Sequence, residues 1–105
     1  MLDPLKRDTY VPLLDADFTI HFGEDGTLEA RLVEVSPLVE RGASSSFSLL
    51  FLTEPLDGAQ QGSYGVEHAD IGKVELFLVP VAQTPDRAFQ LEAVINTTTT
   101  AKDQA

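Results

Sequence analysis

Apolar and polar residues alternate along most of this chain with a period of two, and the period of a helix hardly appears. From Asp17 onward Phe18, Ile20 and Phe22 alternate with Thr19 and His21, the mark of a strand with one buried face. Residues 23–26, Gly-Glu-Asp-Gly, then turn the chain, because glycine accepts positive φ and Asp-Gly is a strong hairpin signal. The return strand covers about 27–36. Leu28, Ala30 and Leu32 form one set, and Val33 and Val35 form the other. The phase slips at 32–33, which predicts a bulge or a sharp bend, and Pro37 ends the strand. Residues 40–46 read as a loop, 47–52 (Phe-Ser-Leu-Leu-Phe-Leu) as the next strand, and 53–62 as a long connection with Pro55 and two glycines. Strands are predicted at 63–67 and 73–81 around a turn, and, after a loop at 82–87, at 88–96 with Phe89, Leu91, Ala93 and Ile95 on the buried face.

The stretch 73–81, Lys-Val-Glu-Leu-Phe-Leu-Val-Pro-Val, breaks the pattern midway. Its first half alternates, but Leu76, Phe77, Leu78, Val79 and Val81 leave both faces apolar. If Val74, Leu76 and Leu78 face the core, Phe77 and Val79 face outward and need a cover. The hairpin before it can be registered from charge. Pairing Val66 with Val74 sets Tyr64 opposite Leu76 and Glu67 opposite Lys73. A shift of two would oppose Glu67 to Glu75, a like-charge pair, and a shift of one would send the apolar sets to opposite faces. The first register therefore wins and leaves a five-residue loop closed by Gly72.

Residues 1–15 form a lead-in that can hold one helical turn, capped by Asp8 or Thr9 and limited by Pro12. Leu5, Tyr10, Leu13 and Leu14 are its docking residues, and the segment is one candidate cover for the outer faces of 49–52 and 76–81. Residues 97–105 lack an apolar anchor and read as a tail. Six strands with short turns predict an all-β fold, a small six-stranded antiparallel barrel or sandwich with a short N-terminal helical lead-in. At 105 residues this is a single domain, since a second core would not fit.

Composition narrows the function classes. The net charge is −10, from 17 acidic and 7 basic residues spread along the chain. Such a surface repels phosphate backbones and anionic lipid, so neither nucleic acid nor membrane is expected as a partner. There is no cysteine, which removes disulfides and thiolate metal sites. The first residues contain no apolar core of a signal peptide, and no window approaches the ~18 apolar residues of a membrane span. Synthesis in the cytoplasm is the matching expectation, with later incorporation into an extracellular or virion-like assembly.

Candidate chemistry is sparse. Glu67, His68 and Asp70 lie close together, and a turn can converge three such side chains into a metal site or a general base. No second histidine cluster completes a ligand set, so they read as polar turn residues, and His21 reads as solvated. Ser44, Ser45 and Ser46 lack the surroundings of a nucleophile elbow, and the glycines form no phosphate-binding loop. Asn96-Thr97-Thr98 fits the glycosylation pattern but has no secretion signal to make use of it. No catalytic residue, metal or cofactor is predicted.

Four segments taken together carry a resemblance. Residues 28–38, 47–52, 62–81 and 89–96 resemble a family of small bacterial domains of unknown function. The resemblance covers about 5–96, and its specific positions are Tyr64, His68, Gly72, Phe77, Pro80 and Asn96. It adds no catalytic residue. Through relatives near tail-collar-like and phage-type fibre proteins, it implies a structural part of a fibre or tail-like assembly. The expectation is thus a non-enzymatic structural or interaction module that self-associates or joins a protein partner, with Phe77, Val79, Val81, Leu50 and Leu52 as its interface. A small ligand-binding barrel lined by Phe18, Tyr64 and Phe89 is the alternative, and a hydrolase using the turn Glu67/His68/Asp70 is the remote one.

Overall fold

The computed structural model describes residues 6–22, 26–55 and 60–98. A short helix α1 (Arg7–Tyr10) runs into a 3-10 turn (Val11–Leu13), and seven strands follow: β1 (Asp17–Phe22), β2 (Gly26–Val35), β3 (Val39–Arg41), β4 (Ser44–Pro55), β5 (Gly62–His68), β6 (Gly72–Gln83) and β7 (Ala88–Thr98). The pairing order is β2-β1-β5-β6-β7-β4, and β2 also pairs with β4, so six antiparallel strands close into a barrel. Closure follows from strands that are apolar on one side throughout; hairpins make neighbours of β1 and β2, of β5 and β6 and of β6 and β7, whereas β4 and β5, consecutive in the chain, are not adjacent in the ring.

The seventh strand, β3, lies where a loop was expected. It pairs with residues 44–46 of β4 through a two-residue turn in which Gly42 has φ 57°, a value that costs glycine little. Ser44 to Ser46 are therefore strand residues, and β4 extends well past 47–52 at both ends. Likewise β7 runs on to Thr98, so 97 and 98 belong to a strand, while the rest of the expected tail lies outside the described residues. The turn at 23–25 also lies outside them, yet Phe22 pairs with Gly26 as a hairpin there requires.

The phase slip in β2 is real: Leu32 pairs with Phe51 and Glu34 with Leu50, so the register shifts between 32 and 34. The hairpin register also holds, with Val66–Val74, Tyr64–Leu76 and Glu67–Lys73 paired. Pairing continues to His68–Gly72, so the turn is only 69–71, closed by an Ile71 N–H to His68 O bond of 3.1 Å. Ile71 is buried, which its place in a polar turn did not suggest.

β6 explains its own broken pattern. Its first part, through Leu78, pairs with β5; from Leu78 onward it pairs with β7. Its outward residues turn from polar to apolar at Phe77, which still pairs with Ser63 of β5, one residue before that change of neighbour.

Tyr10, Phe18, Ile20, Leu32, Leu49, Phe51, Val66 and Leu78 fill the interior, as expected of a ring with few strands. Phe18 meets Phe51 edge-on at 5.3 Å between ring centroids. The lead-in enters this core instead of covering the outer wall. Tyr10 and Leu13 belong to the buried cluster, and Tyr10 lies 6.0 Å from Phe47, whereas Leu14 stays exposed. Its backbone is tied to β2 by Asp15 N–H to Leu32 O (2.7 Å) and Leu32 N–H to Ala16 O (3.0 Å), and Arg7 Nε donates to Ser36 O at 2.6 Å. The helix starts at Arg7 with Lys6 in the cap position and no side-chain cap bond, so neither Asp8 nor Thr9 caps it. Phe22, which alternation puts on the buried face, is exposed, because it lies past the β1–β5 pairing at 19–21 and over Gly26.

Candidate functional site

Two outer surfaces hold the residues singled out above. The first is the wall over β1 and β5. Thr19 pairs with Glu67 and His21 with Gly65, so these side chains point outward in adjacent rows. His21 Nε2 lies 2.8 Å from Glu67 Oε1, and Thr19 Oγ1 donates to Glu29 Oε2 at 3.0 Å. His21 is thus held by a carboxylate and not merely solvated. Gly65 leaves room for the Lys73 stem, since a Cβ there would stand 2.6 Å from Lys73 Cε.

The turn beside it does not converge its polar groups. Glu67 and His68 are consecutive in a strand and so point to opposite sides. Glu67 goes to His21. His68 packs its ring 4.9 Å from Phe18 and accepts the Asp70 N–H at Nδ1 over 3.0 Å. That bond leaves the ring proton on Nε2. Asp70 Oδ2 stays 3.9 Å from Nδ1. His68 is therefore a turn-closing side chain, and among the described residues no group of three histidine, aspartate or glutamate residues is placed to hold a metal ion. Ser44 donates to Arg41 O at 3.0 Å and closes the β3–β4 turn.

The residues suggested for a ligand cavity are not gathered around one. Phe18 is fully buried against Phe51 and His68. Tyr64 and Phe89 are half-buried at the edge of the core, and the Tyr64 hydroxyl donates to Gln60 O at 2.6 Å. The Phe89 N–H is taken by Thr53 Oγ1 at 3.1 Å, where β4 slips register against β7.

The second surface is the outer wall over β6, β7 and β4. Val79 pairs with Glu92, and Glu92 with Leu50; Ala82 pairs with Gln90, and Gln90 with Leu52. Phe77 and Val94 lie just past the last β6–β7 pair, Leu78–Ala93. Phe77 is 53 % exposed, Val81 50 % and Val94 55 %, while Val79, Leu50 and Leu52 are half-buried. All five expected interface residues thus share this wall. Val94 joins them unforeseen, although the inward assignment of Ala93 and Ile95 already implied that it points out.

One carboxyl group is displaced in its acidity. The Thr84 hydroxyl bonded to Asp86 holds that carboxyl below its ordinary value, with smaller help from the Asp86 and Ala88 backbone N–H groups. This is loop chemistry: Thr84 also bonds the Ala88 backbone.

Among the described residues no helix is long and apolar enough to cross a membrane. No curated protein and no solved structure matches the chain. A family model does match, described as Domain of unknown function (DUF6916), over residues 5–95. That span takes in α1, strands β1 to β6 and β7 as far as Ile95, and the chain belongs to this family.

Proposed function

We propose that the domain is a non-enzymatic interaction module, a subunit of a larger assembly, and that the outer wall of β6, β7 and β4 is its contact surface. One observation carries this reading: Phe77 and Val94, each more than half exposed, stand side by side where the lead-in was expected and does not lie. Contiguous exposed apolar groups on a small protein mark contact surfaces. The finer form of the proposal is a fibre or phage-tail-like assembly, made from chains synthesised in the cytoplasm. It rests on the sequence resemblance alone.

The ligand-binding alternative has less behind it, because Phe18 is packed on both sides by Phe51 and His68. The hydrolase alternative needs Glu67 and His68 on one side of the strand, and they are on two.

The test is light scattering with circular dichroism on the wild type and Phe77→Asp. The wild type is expected to scatter as more than one chain, and the variant to scatter as one chain with nearly the wild-type melting temperature. A wild type that stays a single chain at high concentration, with a variant that melts much earlier, would contradict the proposal.

A further inference from the structure

A closed ring removes strand edges, but among the described residues several stretches of this one pair on one side only: β5 over 62–64 is short, β6 over 79–83 is broken by Pro80 and a bulge, and three more gather where β6 and β7 part beyond Leu78 and Ala93. Among the described residues, β6 over 72–77 has β5 on one side and no strand on the other, and β7 over 94–98 has β4 on one side and none on the other. β3 pairs with β4 alone. The three edges are not equivalent. β3 is three residues long and carries Glu40 and Arg41. The β6 stretch presents Lys73 and Glu75, both exposed. Short length and charged side chains are how β proteins keep neighbouring chains from pairing.

The β7 stretch has no such guard. Val94-Ile95-Asn96-Thr97-Thr98 contains no charge, proline or glycine, and four of its five residues are β-branched, the residues that favour strands. Every second residue there directs its N–H and C=O away from β4. In a protein of net charge −10, it is a strand edge that a second copy can meet without setting carboxylate against carboxylate.

We propose that this edge is the seam of a homodimer, in which β7 of one copy pairs antiparallel with β7 of a second about a two-fold axis at Asn96. The inference rests on the interaction-module reading and names the partner as a second copy of this chain. The axis follows from the free stretch itself. Position 96 is its midpoint, so pairing 94 with 98, 95 with 97 and 96 with 96 of the other copy uses all of it. The same edge on both copies gives a closed dimer. Pairing β7 with the β3 or β6 edge of another copy would be head-to-tail, would run on into filaments, and would meet the charges at 40, 41, 73 and 75. Phe77 and Val94 flank the seam, and the incoming strand would cover them.

The absence of cysteine makes the test direct. Directly opposed residues in antiparallel strands have Cα atoms about 4.5–5.5 Å apart, within the roughly 4.4–6.8 Å that a disulfide spans. The full chain carrying Asn96→Cys should convert under mild oxidation to a covalent dimer that thiol reverses. Thr27→Cys, exposed on the opposite wall, should not. The double variant Val94→Lys/Asn96→Lys should scatter as one chain and keep its melting temperature within a few degrees.

A dimer in which Asn96→Cys cross-links no faster than Thr27→Cys would overturn the seam. If Phe77→Asp abolished that same dimer, the interaction-module reading would survive through the sheet face. Mass rising past two chains would overturn the closed two-fold. A chain that stays single at every concentration would overturn the homodimer and leave the wall to a different protein.

Discussion

The wall over β1 and β5 and the wall over β6, β7 and β4 belong to one ring and share one core, yet they meet the outside differently. On the first, the outward residues are Thr19, His21, Ser63, Gly65 and Glu67, and side-chain bonds join His21 to Glu67 and Thr19 to Glu29 of β2. On the second they are Leu50, Leu52, Phe77, Val79, Val81 and Val94, with Gln90 and Glu92 between. Inward patterning is the same on both, since one core dictates it. Outward patterning records what each wall faces, which is water on one side and, on our reading, another protein surface on the other. β6 contributes to both walls, and its outward residues change from Lys73 and Glu75 to Phe77 and Val79 across the point where its neighbour passes from β5 to β7.

The sharpest way to break this comparison is to cut adjacent residues on β6. Leu78 is fully buried and Phe77 is half out. Leu78→Ala should cost about 2–5 kcal/mol, the range for a core leucine. Phe77→Ala should cost the monomer under ~1 kcal/mol. Urea unfolding at low protein concentration measures both, and equal costs would mean that Phe77 is buried within the single chain.

A smaller effect is expected from two glycines. At Gly26 a Cβ would lie 2.6 Å from the Phe22 backbone oxygen, whereas at Gly62 nothing comes nearer than 3.7 Å. Gly26→Ala should therefore destabilise by roughly 1–3 kcal/mol, as overpacking does, and Gly62→Ala should be neutral or stabilise by up to about 1 kcal/mol. Thermal melts of the two variants decide it, and a loss at Gly62 as large as that at Gly26 would contradict the difference in space.

Smaller still is the His21–Glu67 contact on the polar wall. The partners are partly exposed, and such pairs contribute ~0.2–1 kcal/mol. A double-mutant cycle with His21→Gln and Glu67→Gln should give a coupling in that range, fading in high salt. A larger, salt-insensitive coupling would mark this wall as a built site.

The least effect is expected at Asp86, a fully exposed group. Its folded value lies below the unfolded one, so its contribution is present above the ordinary carboxylate range of about 3.9 and disappears as pH falls through the folded value. Asp86→Asn should remove a small part of the acid sensitivity of the melting temperature below about pH 4 and leave neutral stability nearly unchanged. A marked loss at neutral pH would show that the Thr84 bond holds the loop by more than charge.

Much of the ring was legible because it depends on local rules. Alternation located six of the seven strands, and one charge pair, Glu67 with Lys73, was enough to choose a register. The slip at Leu32–Glu34 could be read from a change of phase. β3 could not, because Val39 to Arg41 are all exposed, so no apolar alternation announces them. Only pairing with β4 makes them a strand. Of the proposed contact surface, Phe77, Val79, Val81, Leu50 and Leu52 were legible as surplus apolar residues. Val94 was implied by the inward assignment of Ala93 and Ile95, but the polar Gln90 and Glu92 that share its outer face gave no sign of a surplus apolar position.

What the sequence by itself determined is the class: all-β, antiparallel, acidic, without cysteine, with more apolar strand surface than the core consumes. Those properties follow from period, turn chemistry and composition, which need no knowledge of neighbours. Tertiary structure alone decided that β2 meets β4 to close the ring, that the lead-in enters the core, that Glu67 turns to His21 instead of His68, and that β7 keeps a free edge over 94–98. Each of these depends on which distant segments share a face. That is settled by the competition of many weak contacts over the whole chain, and no short stretch of sequence contains it.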